Sequence, residues 1–188
     1  MLAINRVWAM PSSETFTIRP IKELIERYID DGTWVDPFCR NSIFKNRCEL
    51  TNDINPKFAG THNMDALDFL KSLPASSVDG VLFDPPFSPR QVKEAYQGFG
   101  PCDTTRRFYS QRKREAARVL KQGGIAIVCG WNSLGLGWKH GMELEEILMV
   151  NHGDQNDTIV TVGRKVAPQL DLVIAEMSFS SPLRGTER

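Results

Sequence analysis

The chain has 188 residues, 41% hydrophobic and 24% charged, with 23 basic side chains balancing 23 acidic ones. This describes one globular domain over residues 1–188 with a core large enough to fold without cross-links, and it excludes global disorder and collagen-like repeats. No window approaches the roughly 20 consecutive apolar residues of a membrane-spanning helix, and the start lacks a basic segment followed by an apolar run, so the expected location is the cytoplasm with no membrane partner.

In chain order, the first dozen residues read as loose. From Arg19 the apolar positions Ile21, Leu24, Ile25, Tyr28 and Ile29 recur at helical spacing, and Asp30-Asp31-Gly32 stops the run. Thr33-Trp34-Val35 then predicts a short, buried, parallel strand that ends in Asp36 and a helix-incompatible Pro37. The same punctuation recurs twice, over Cys48–Asp53 and over Val78–Phe83 before Asp84, with a helical Asp65–Leu70 between them. Arg106 to Lys121 has the pattern of an amphipathic helix closed by Gly123-Gly124, and Ile125–Cys129 is a further apolar strand. Glu143–Val150 suits a helix or a strand. Thr158–Gly163 is β-rich, Leu170–Ala175 is a candidate antiparallel edge partner for it, and residues 178–188 read as a loose tail. Alternating strands and helices predict a three-layer α/β sandwich, its sheet mostly parallel with an antiparallel edge hairpin.

The zero net charge is unevenly spread. Residues 88–122 hold nine basic side chains against three acidic ones, leaving the remainder at −6. Such a segment suits a polyanion, and a solvated helix face accounts for it equally. Four scattered cysteines without a C-x-x-C pair, and three histidines at no ligand spacing, argue against a disulfide framework and against structural metal.

In an open α/β sheet, ligands bind beyond the carboxyl ends of the strands, so Asp36, Asp53 and Asp84 are expected around one cleft. The most informative segment is Asp84-Pro85-Pro86-Phe87. Two prolines lock an extended backbone and bring carbonyls without a competing N–H, between a carboxylate and an aromatic face. That set suits a planar exocyclic amine: Asp84 and the Pro85 carbonyl accept its two N–H bonds while Phe87 stacks on the ring.

The D-P-P-F of residues 84–87 resembles the catalytic motif of the S-adenosylmethionine-dependent amino methyltransferases acting on adenine N6 or cytosine N4, and the resemblance extends over roughly residues 15–130. Asp36-Pro37-Phe38-Cys39 resembles the family's first cofactor motif, which usually continues into glycines; here Arg40-Asn41-Ser42 follow, and Asn41 is expected to adopt the left-handed conformation in a glycine's place. Asn52-Asp53-Ile54-Asn55-Pro56 resembles the second motif, implying that Asp53 holds the cofactor ribose. Asn63-Met64-Asp65-Ala66 resembles the third, implying that Asp65 and Ala66 meet the cofactor adenine, although an Asp at a helix start serves equally as an N-cap. Phe16 and Thr17 sit where the family covers the methionine end of the cofactor. The resemblance implies a Rossmann-like methyltransferase fold, S-adenosylmethionine as cofactor and no metal.

Ser88-Pro89-Arg90-Gln91, directly after the D-P-P-F motif, is placed to touch substrate or its phosphates, Ser88 and Arg90 foremost, and Arg106 and Arg107 are placed as further substrate contacts. Trp131 and Trp138, beside glycines, read as packing residues, with stacking on nucleobases as the alternative. The leading expectation is methylation of adenine N6 in DNA with little sequence specificity. Methylation of RNA, cytosine N4 as target, and a non-catalytic nucleic-acid-binding subunit are the alternatives, with a homodimer or a partner subunit as candidate assemblies.

Overall fold

Pro20 occupies the first turn of α1 (Arg19–Tyr28), where its missing N–H costs nothing, and Ile21, Leu24 and Ile25 form a fully buried stripe along that helix. The computed structural model describes residues 1–58, 60–100, 103–153 and 156–166. β2 (Trp34–Asp36), β3 (Leu50–Thr51) and β4 (Val78–Phe83) follow, β2 pairing in parallel with both of the others. α2 (Ala66–Ser72) separates β3 from β4, α3 (Pro89–Tyr96) and α4 (Arg106–Val119) separate β4 from β5 (Leu120–Gly130), and β6 (Met142–Asn151) and β7 (Thr158–Lys165) form an antiparallel hairpin.

With β1 (Ala3–Trp8), these make one seven-stranded sheet in the order β1-β6-β7-β5-β4-β2-β3, parallel except where β7 pairs with its two neighbours. Alternation along the strands divides the core. Trp34, Leu82 and Ile127 face α1, while Val35, Val81 and Val128 face Phe69 and Leu70 of α2 and Ala116 and Ala117 of α4. This is the expected three-layer sandwich.

Three expectations change. The first residues are not loose: β1 pairs with β6 over six residues, and Val7 packs against the α1-side core. Asn5 and Arg6 break the apolar pattern by which a strand is recognised. β1 therefore forms the margin of the sheet, and the hairpin strand β7 lies inside it, between β5 and β6. Glu143–Val150 is strand, and the candidate partner Leu170–Ala175 lies outside the described residues, as does the 178–188 tail. Finally, Gly123-Gly124 does not close the basic helix. α4 stops at Val119 because Ser76 and Ser77 donate their N–H groups to the Arg118 and Val119 carbonyls, satisfying the helix end without a glycine cap. The two glycines instead form a bulge in β5, where pairing jumps from Val78↔Leu120 to Gly80↔Ile125 and Gly123 has φ +80°.

One glycine sets the spacing of the central strands. A Cβ on Gly80 would stand 2.2 Å from the Trp34 indole, whose ring is fully buried. Gly80→Ala is expected to lower stability by about 2–3 kcal/mol, read as a shift of the urea midpoint at constant slope; an unchanged midpoint would contradict this packing.

Candidate active site

The chain leaves β2 for β3 on one side and returns to β4 on the other, so the carboxyl ends of β2 and β4 form a topological switch point. A cavity of about 760 Å³ opens there. Of the residues expected at the site, Phe16, Thr17, Pro37, Phe38, Asp53, Ala66, Asp84, Pro85, Pro86 and Phe87 line it, whereas Asp36, Asp65, Ser88, Arg90, Arg106 and Arg107 do not.

Asp36 lies beneath the wall. It is completely buried; Oδ1 accepts the Phe38 N–H at 3.0 Å, which turns the chain into the cavity loop, and Oδ2 has no partner. Asp84, at the end of the neighbouring strand, is half-buried, and its Oδ1 is likewise sealed from solvent without a donor. Burial pushes both carboxyls up to about 7, with the charge of Asp84 adding to the shift at Asp36. Burial and these two carboxylates also hold the thiol of Cys129, near the end of β5, well above its ordinary range.

Asp53 holds the loop from the other side. Its Oδ2 accepts the Arg40 N–H at 3.1 Å and its Oδ1 the Asn55 N–H at 2.8 Å, so each oxygen keeps a lone pair for a further donor. The left-handed residue of the glycine-free loop is Arg40, at φ +32°, and not Asn41. Side-chain contacts offset that strain. The Arg40 guanidinium stands 5.3 Å from the centre of the Phe58 ring and 3.8 Å from Glu14 Oε1, an oxygen that also accepts from Asn41 Nδ2 at 3.3 Å. Behind the loop, the fully buried Asn52 donates to the Pro37 and Met64 carbonyls and accepts the Met64 N–H, tying three loops together.

Asp65 has other work. Its Oδ1 accepts the Leu67 N–H as the N-cap of α2, and its Oδ2 takes Arg112 Nη2 at 2.6 Å, leaving its neighbour Ala66 to line the cavity. Ser88 is the N-cap of α3, and Arg90 is exposed and paired with Glu94.

The basic segment is largely spent on structure. Arg112 is buried with its guanidinium 3.7 Å from the Phe108 ring centre; Arg114 and Arg118 flank Glu115; Lys121 pairs with Asp79. Among the described residues Lys93, Arg106, Arg107 and Lys113 form no ion pair. The position of two of these follows from how α4 lies along α2. Arg118 donates to the Leu70 and Leu73 carbonyls at one end of α2, and Arg112 to its N-cap at the other. Arg106 stands six residues from Arg112 towards the start of α4, about 9 Å at the helical rise, and so lies beyond the start of α2.

The two tryptophans depart from the packing expected of them, whereas Gln91 lies at the cavity, in the segment expected to touch substrate. Trp131 is 42% exposed and meets Phe87 edge-to-face, 6.0 Å between centroids, and Trp138 is 66% exposed, so neither is a core packing residue. Gln91 lines the cavity and accepts the Phe87 N–H through Oε1 at 2.6 Å. The S-x-x-Q spacing of a capping box, Ser88 to Gln91, was the available signal.

Among the described residues no group of three or more His, Cys, Asp or Glu is placed to hold a metal ion, and no helix is long and apolar enough to cross a membrane.

No family model and no curated protein matches the sequence. Solved structures do match the fold. TrmN from Thermus thermophilus superposes with a TM-score of 0.55 at 16% identity over 79% of this chain and 49% of its own, so this chain spans about half of that protein. YhhF from Escherichia coli gives 0.55 at 12% identity over 85% and 92%. The 1,6-didemethyltoxoflavin-N1-methyltransferase from Burkholderia thailandensis, solved with its substrate and S-adenosylhomocysteine, gives 0.54 at 10% identity over 79% and 78%. The architecture is therefore that of the Rossmann-like methyltransferases.

The buried carboxyls set a pH dependence. In the unfolded chain both aspartates titrate near 3.8, and in the folded one at about 7. Between those values the folded state binds more protons, so their contribution to stability falls as pH rises through the window and levels off above about 7. Asp36→Asn cannot ionise, so its loss of unfolding free energy between pH 5 and pH 8 is expected to be smaller than that of the unaltered protein. Equal losses in urea titrations would contradict the burial of this carboxyl.

Proposed function

We propose that the chain methylates the exocyclic N6 amine of adenine in DNA, using S-adenosylmethionine and reading little sequence context. The observation that carries this reading is a wall of acceptors on the cavity: the Asp84 carboxyl, followed by two prolines that have no N–H. A ligand that satisfies this wall brings N–H groups.

The cavity suits the cofactor in three respects. Its volume lies in the range of small-molecule sites, Asp53 keeps lone pairs for ribose hydroxyls, and Phe16 and the Pro37–Asn41 loop form the opposite wall. The cofactor supplies an electrophilic sulfonium methyl. The protein's part is to position the amine and stabilise charge. Its nitrogen lone pair is delocalised into the ring, and N–H bonds to the Asp84 carboxylate and the Pro85 carbonyl draw it towards sp³ geometry. The same two acceptors stabilise the positive charge that develops on nitrogen, and Phe87, backed by Trp131, offers a face for the ring. A base taken from a duplex is flipped into the cavity at a cost of a few kcal/mol. Phosphate contacts from Arg106, Arg107 and Lys93 would offset it, and the short chain between α3 and α4 leaves little surface for reading sequence.

The test is to incubate the protein with labelled S-adenosylmethionine and separate DNA and RNA pools, then identify the methylated nucleoside by mass spectrometry. N6-methyladenine in DNA is expected, lowered about 10²–10³-fold by Asp84→Ala, with kcat/KM of the unaltered protein rising with pH through about 7 as Asp84 ionises. Label confined to RNA would move the substrate; no label in either pool would overturn the reading.

A further inference from the structure

Gln91 has a position that loop packing alone does not use up. It stands in the first turn of α3, where Ser88 Oγ accepts its N–H, and its side chain turns back to the catalytic segment. Phe87 N is a backbone donor, so the Gln91 atom 2.6 Å from it is the amide oxygen. This fixes the orientation of the amide. Its Nε2, the donor end, has no acceptor among the described residues, and the side chain lines the same cavity as Asp84, Pro85 and Phe87.

The chemistry of this wall is otherwise one-sided. Asp84 and the Pro85 carbonyl are acceptors, Pro85 and Pro86 bring no N–H, and the N–H of Phe87 is already taken by Gln91. An amine flanked by carbon would be satisfied by acceptors alone. An exocyclic amine conjugated to a ring nitrogen presents an N–H beside a lone pair, and recognising that pair takes an acceptor and a donor side by side. Asp84 and the Gln91 amide supply the two.

We propose that Gln91 is a specificity-determining residue that donates through Nε2 to the ring nitrogen adjoining the target amine, so that the site takes amines of the amidine type found on nucleobases. The inference rests on the methyltransferase reading above and adds the ring edge to it. The tie to Phe87 sets the donor: the contact that holds the catalytic segment also aims the amide.

Gln91→Glu separates the two roles. A carboxylate still accepts the Phe87 N–H, and Ser88 still caps α3, but the donor is gone. Methyl transfer is measured on oligonucleotides carrying adenine, 1-deazaadenine or 7-deazaadenine at one position, alongside thermal unfolding and equilibrium binding of S-adenosylmethionine. The unaltered protein is expected to lose about 10- to 100-fold in kcat/KM on 1-deazaadenine, which lacks that ring nitrogen, and not on 7-deazaadenine, which keeps it. Gln91→Glu should fall to that level on adenine itself and no longer distinguish adenine from 1-deazaadenine, while its unfolding temperature and cofactor affinity stay unchanged. If the unaltered protein treats 1-deazaadenine like adenine, or if Gln91→Glu still discriminates between them, the inference is overturned while the methyltransferase reading stands. No transfer to adenine by the unaltered protein overturns both.

Discussion

Two carboxyl groups buried at the ends of adjacent parallel strands are the constraint around which the rest of the site is arranged. β2 and β4 pair directly, Trp34 opposite Gly80 and Val35 opposite Val81, and each strand delivers an aspartate at its carboxyl end with one oxygen that no protein donor satisfies. An unsatisfied buried acceptor costs free energy. Burial raises the carboxyls of Asp36 and Asp84, and this is the electrostatic mark of that cost.

The surrounding loops turn this strain into a fixed geometry. Asp36 spends its satisfied oxygen on the Phe38 N–H, Asp53 holds the Arg40 and Asn55 N–H groups, and Asn52 joins the loops after β2 and before α2. The first turn of α3, capped by Ser88, holds the Asp84–Phe87 segment through Gln91. The arrangement needs no glycine in the loop after β2, because Arg40 accepts the left-handed conformation with its N–H and its guanidinium both engaged.

Much of this was legible in the sequence where one physical signal dominates. The helical spacing of Ile21, Leu24 and Ile25 and the acid-ended apolar runs before Asp36 and Asp84 are periodicity and punctuation, and they place α1, β2 and β4. The prolines of residues 84–87 declare an acceptor-rich wall by chemistry alone. What stayed hidden depends on partners distant in the chain. β1 is a strand because β6 is beside it, although Asn5 and Arg6 spoil its pattern. Asp65 is claimed by Arg112, 47 residues away, and a count of charges over residues 88–122 cannot see that Arg112, Arg114, Arg118 and Lys121 each meet a carboxylate. Asn41 is the better left-handed residue by intrinsic preference, yet the hydrogen bond from Arg40 to Asp53 decides the position.

The central claim is that the Asp84 carboxyl is an acceptor on the cavity wall to which an amine donates. It is tested most directly by following the Asp84 side-chain carboxyl by ¹³C NMR across pH, in the free protein and with an adenine-containing oligonucleotide bound. The account predicts titration near 7 in the free protein and a fall of about one unit or more when the amine donates to the carboxylate. An Asp84 that titrates near 4 in the free protein, or whose titration does not respond to the bound base, would contradict it.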